Sequence, residues 1–109
     1  MNVVITQSML FPWVGMLEQI SLADKIIHYD DVQFSRGSLI NRVQVKTFGG
    51  SKWMTIPLKN FNLGQVIDEI TIQDSSKWKN QHIGLLTQSF KGSPYSQDAL
   101  KIVEEVYSK

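Results

Sequence analysis

No cysteine occurs in the 109-residue chain, which removes a disulfide framework, a thiol nucleophile and a thiolate metal site together. Stability must then come from packing. Histidine is scarce too: His28 and His82 are the only two, and neither stands in a His-x-x-His or Glu-x-x-His spacing, so a dedicated transition-metal site has no ligand set. No Gly-x-Ser-x-Gly elbow, Gly-x-Gly-x-x-Gly turn or Walker loop is present, leaving triad hydrolysis and the common phosphate loops without a signal. Excess charge of one sign is missing as well. Lys plus Arg is 11 against 10 for Asp plus Glu, a formal net charge of +1, so the electrostatic case for a general nucleic-acid binder fails. No apolar run approaches the ~20 residues of a membrane helix. Residues 1–11 show neither a basic leader nor a small-residue cleavage site. The expectation is a soluble, cytoplasmic protein without a membrane span.

What is present is an ordinary globular mixture, 42% hydrophobic and 19% charged, in a length that suits one domain over residues 1–109. Val3, Val4 and Ile5 are β-branched in succession, the pattern of a strand buried on both faces of a parallel sheet. Trp13, Met16, Leu17, Ile20 and Ala23 recur at helical spacing, and Ile26 to Tyr29 form a second short apolar run. A strand, helix, strand unit with a right-handed crossover follows. The period then changes to two. Val43, Val45 and Thr47 alternate with Arg42, Gln44 and Lys46, and Gly49-Gly50 turns the chain into a return strand, Lys52 to Leu58, with Pro57 marking an edge or an end. Val66 to Ile72 reads as a further strand. After Asp74 or Ser75 as cap, Trp78, His82, Leu85, Leu86 and Phe90 make one helical stripe; beyond Ser93-Pro94, Ala99, Ile102, Val103, Val106 and Tyr107 make another. The fold class is therefore α/β, with an N-terminal strand-helix-strand unit, a central antiparallel hairpin and two C-terminal helices.

Three groups of residues carry possible chemistry. The loop from Gln7 to Gly15, containing Trp13, follows the first strand, and ligands of open α/β sheets bind beyond the carboxyl ends of strands; the competing reading is a packed turn with Trp13 in the core. Asp30 and Asp31, followed by Gln33, leave the second strand on the same rim. Such a pair can bind sugar hydroxyls, hold a hydrated divalent ion or act as a base, although neighbours in an extended chain point apart and solvated Asp-Asp loops are common. Asn41, Arg42 and Lys46 line a polar strand face. Arg42 suits bidentate contact with phosphate or carboxylate and Lys46 acts as a point charge; the plain alternative is the wet face of a hairpin. His82 sits on an apolar stripe, where a histidine is usually a hydrogen-bonded core residue. No motif names a metal or a cofactor.

Taken together, an opening strand into Gln7, then Phe11-Pro12-Trp13-Val14-Gly15, Tyr29-Asp30-Asp31-Val32-Gln33-Phe34, Asn41-Arg42, Trp53 with Ile56-Pro57-Leu58, Trp78 with His82, and Ser93-Pro94-Tyr95 resembles the WbqC-like family over essentially the whole chain. That resemblance implies a role in bacterial surface polysaccharide or O-antigen synthesis: acyl or aminoacyl (glycyl-type) transfer to a nucleotide-linked or lipid-linked sugar. The residues themselves make Asp30 and Asp31 catalytic candidates and Gln7, Trp13, Gln33, Asn41, Arg42 and Lys46 substrate-binding ones; the resemblance adds His82 as a candidate general base or hydrogen-bond donor to a ligand. The alternatives are a nucleotide or nucleotide-sugar binding module without chemistry, and a structural partner in polysaccharide assembly. The opening also resembles the Rossmann-like start of nucleotidyltransferases. Two departures stand out: this chain has Gln7-Ser8 where the family carries Gln-Pro, and family members continue past the equivalent of Lys109 with a mainly helical region. The chain is then the N-terminal part of a longer architecture, or a short variant.

Overall fold

Three β-branched residues in a row give the opening strand β1 (Val3–Thr6), which the computed structural model, covering residues 1–109, pairs in parallel with β2 (Lys25–His28). The register matches Val4 with Ile26, Ile5 with Ile27 and Thr6 with His28. Between them runs α1 (Val14–Leu22), the crossover that a parallel pair requires. Met16 and Ile20 of α1 line a hollow together with Thr6 and His28 on one sheet face. The opposite face is uncovered, with Val3 47%, Ile5 64% and Ile27 49% exposed. The expectation of a strand buried on both faces is corrected here: this sheet has two strands and one covering helix, so β-branching sets the extended backbone without two-sided burial.

The chain divides into two compact units: Met1–Val43 with Thr55–Gln73, and Gln44–Met54 with Asp74–Lys109. In the first unit, the segment after β2 is pinned by backbone bonds to a distant stretch. Phe34 N donates to Gln65 O (2.8 Å), Ile67 N to Val32 O (2.9 Å) and Asp68 N to Asp30 O (2.9 Å), around an antiparallel bridge of Gln33 with Val66. The single strand expected over 66–72 is therefore split. Its first part pairs with 32–34, a 3-10 turn at Ile67–Glu69 redirects the chain, and β6 (Thr71–Ile72) pairs antiparallel with β5 (Leu58–Lys59). Pro57, lacking an amide proton, falls in the gap before β5, and its carbonyl accepts from Gln73 N at 2.9 Å. Phe34 and Ile67 are buried, and Phe34 meets Phe61 edge to face at 5.2 Å.

The second unit holds most of the hairpin of β3 (Arg42–Thr47) and β4 (Gly50–Thr55). Their connection is Phe48-Gly49, too short for anything but an antiparallel return. Gly50 adopts φ +116°, and the Thr47 hydroxyl donates to its carbonyl at 2.7 Å. α2 (Ser76–Ser89) begins at Ser75, whose side chain accepts from Lys77 N, and α3 (Ser96–Tyr107) follows the turn at Gly92, φ +87°. Trp78, His82 and Leu86 of α2 and Val103 and Tyr107 of α3 are buried. No helix is long and apolar enough to cross a membrane.

Candidate functional site

Because β1 and β2 are parallel, their carboxyl ends lie on one side, where open α/β sheets bind ligands. Tyr29 N donates to Thr6 O at 2.7 Å and carries the pairing one residue past the strands. Beyond that point the two exits are locked together by side chains. The Ser8 amide donates to Asp30 Oδ1 at 2.9 Å and the Ser8 hydroxyl to Asp30 Oδ2 at 2.5 Å. The Ser8 hydroxyl, helped by the Ser8 amide and the charge of His28 and opposed by slight burial, holds the Asp30 carboxyl below its ordinary value. Asp30 is thus an anion at neutral pH with both oxygens engaged.

On the uncovered side of the sheet the locked exits border an open concavity of about 480 Å³, with Gln7, Ser8, Tyr29 and Ser38 among its lining together with Ile5 and Leu39. Ser38 Oγ is buried there without a hydrogen-bond partner. On the α1 side a smaller hollow of about 120 Å³ is lined by Gln7, Ser8, Pro12, Met16 and His28. Thr6, Gln7, Ser8 and Met9 form the wall shared by both. Neutral hydroxyl and amide groups over an apolar floor suit a ligand that offers many hydroxyls.

Of the residues expected from sequence, Gln7 and Asp30 come together here, joined through Ser8. The others do not line this rim. Trp13 directly precedes α1 and its ring lies over Gly15, where an added Cβ would stand 2.0 Å from the ring. Asp31 and Gln33 are exposed, and Gln33 is fixed through its backbone to Val66. Asn41 Nδ2 donates to Ile56 O at 3.0 Å while Ile56 N donates back to Asn41 O at 2.8 Å. That exchange closes the wall of an apolar cavity lined by Phe34, Ile40, Ile56 and Ile67. Arg42 is half-buried at the start of β3. Lys46 is exposed in the second unit. His82 is 6% exposed in that unit's core, with Nδ1 3.0 Å from the Tyr107 hydroxyl and Trp78 edge-on at 5.1 Å. No three His, Asp or Glu residues are grouped to hold a metal ion.

Sequence reasoning missed Ser8, Tyr29 and Ser38. Ser8 was available as a hydroxyl one residue after Gln7, directly opposite an aspartate leaving the parallel neighbour; nothing in the local pattern marks Ser38.

The model of the WbqC-like protein family matches residues 7–109, and the chain belongs to that family. Among curated proteins it is similar to an uncharacterized protein of Mycobacterium tuberculosis, Rv1507c, at 29% identity over 107 residues. The match covers 97% of this chain and 46% of that relative, so the chain spans less than half of the relative's length. No solved structure matches it.

Proposed function

We propose that this chain provides the sugar-recognising part of a transferase that places an acyl or aminoacyl group on a nucleotide-linked or lipid-linked sugar during bacterial surface polysaccharide or O-antigen synthesis. The observation that carries the reading is the concavity at the carboxyl ends of β1 and β2, where Gln7 and Tyr29 offer neutral hydrogen-bonding groups. Membership of the WbqC-like family supports it. In this scheme the Ser8 clasp on Asp30 sets the shape of the rim, and Gln7 and Tyr29 orient the sugar.

A second reading, binding without chemistry, is favoured by one specific feature: both oxygens of Asp30 already accept from Ser8, which leaves this carboxylate poorly placed as a base. The two readings separate in one set of experiments. Thermal-shift titration with nucleotide sugars should raise the melting temperature of the parent, and Gln7→Ala should weaken that shift by about tenfold in apparent affinity. Turnover with an acyl or aminoacyl donor, weakened in Gln7→Ala, supports the transferase; stabilisation without turnover supports the binding module. Absence of both from the parent chain would sink the sugar-site assignment.

A further inference from the structure

A second hollow lies in the other unit, between the hairpin tip and the turn joining α2 to α3. It measures about 360 Å³, within the usual range for small-molecule sites, and is lined by Lys46, Thr47 and Phe48 from the hairpin and by Gln88, Lys91 and Ser93 among others from the helical side. Two ammonium groups thus share one concavity, and neither has a carboxylate at ion-pair distance. Two cationic side chains that line one hollow without an ion-paired carboxylate favour an anion there. Beside them Phe48 is 100% exposed on a tight turn, a large ring with no packing role. Lys91 follows the carboxyl end of α2, where a cation is favoured in any case, but that accounts for neither Lys46 nor Phe48.

We infer that this hollow is a nucleoside diphosphate site: Lys46 and Lys91 grip the phosphates, the Ser93 hydroxyl donates a hydrogen bond, and the base stacks on Phe48. A flat ring suits a base face because stacking tolerates any base, and two separated point charges suit a diphosphate better than a single phosphate oxygen. An anionic membrane could also meet a lysine-flanked phenylalanine. A concave, hydroxyl-lined hollow favours a small ligand instead, and the net charge of +1 gives a lipid surface little to attract. The inference is independent of the sugar-site reading, because it concerns other residues in the other unit.

Titration calorimetry of the full chain with ADP, UDP, inorganic pyrophosphate and adenosine tests it. Saturable binding of both diphosphates is expected, weakened about tenfold by Lys46→Ala and by Lys91→Ala and unchanged by Lys52→Ala, an exposed β4 lysine outside the hollow. Phe48→Ala should weaken ADP several-fold and leave pyrophosphate unchanged, and added salt should weaken every phosphate ligand. All four positions are surface ones, so circular dichroism should confirm an unaltered fold. The inference is overturned if ADP fails to bind, or if it binds Lys46→Ala and Lys91→Ala as it binds the parent. Phe48-dependent binding to phosphatidylglycerol vesicles in the absence of ADP binding would overturn it in favour of a membrane contact.

Discussion

Ser8 holds Asp30 by both of its donors, amide to one carboxylate oxygen at 2.9 Å and hydroxyl to the other at 2.5 Å, and so ties the exit of β1 to the exit of β2. A residue two positions past one strand thereby sets the geometry of a loop 22 residues away. The carboxylate that sequence alone presents as a free base is the acceptor of a structural clasp.

Ser8→Ala removes the hydroxyl donor and keeps the amide. It should destabilise the chain by about 1 kcal/mol and move the Asp30 pKa back toward 3.8. In the parent Asp30 titrates lower when folded than when unfolded, so its contribution is complete above pH 3.8 and is lost as the pH falls through the lowered folded value. Carbon NMR titration of the Asp30 carboxyl in parent and variant checks both statements; identical titration curves would contradict the clasp.

The second unit should lose stability in alkali. Burial pushes the Tyr107 hydroxyl up to about 12 from an ordinary 10.0, so the neutral phenol's contribution is present below pH 10.0 and declines as the pH rises through about 12. Tyr107→Phe should cost about 1 kcal/mol at neutral pH and flatten the alkaline decline. His82→Ala, which removes a ring from the same cluster, should cost about 2–4 kcal/mol. Chemical denaturation at pH 7 and pH 11 measures all three; a His82→Ala protein as stable as the parent would contradict the core placement.

Gly15→Ala sets helix propensity against ring packing. Alanine favours a helix over glycine by up to about 1 kcal/mol, yet its Cβ would stand 2.0 Å and 2.2 Å from ring carbons of Trp13. The ring is 61% exposed and can swing away, so the expected outcome is a displaced indole with stability changed by less than about 1 kcal/mol. A shift in tryptophan emission with little change in melting temperature would show it, and a large loss of stability would mean that the ring is anchored.

Periodicity made α1, α2 and α3 legible because each presents an apolar stripe, and β-branching marked β1. It overstated how deeply β1 is buried, since extended backbone and two-sided cover are separate matters. The stretch 66–72 could not be read as it folds, because its two ends pair with different segments and the redirecting turn at Ile67–Glu69 has no local signature. At the candidate site, Gln7 and Asp30 were legible from the rule that ligands gather at strand ends. Asn41, expected as a ligand contact, also donates to the Ile56 carbonyl, a partner 15 residues away that no spacing within one strand discloses. Ser38 enters the concavity by the path of a loop, which sequence pattern does not encode.

The bonds from 65–68 to 30–34 also lead to an expected order of events during folding. β1, α1 and β2 close contacts over about two dozen residues, and their Ser8–Asp30 clasp can form as soon as both strands pair. The backbone of the acidic loop is not held until Gln65, Ile67 and Asp68 arrive, a separation of more than 30 residues. Longer loops close later because their entropy cost comes before any contact rewards it. On a ribosome, the rim that bears the candidate sugar site is therefore expected to assemble in two stages, the second only after residue 68 has emerged.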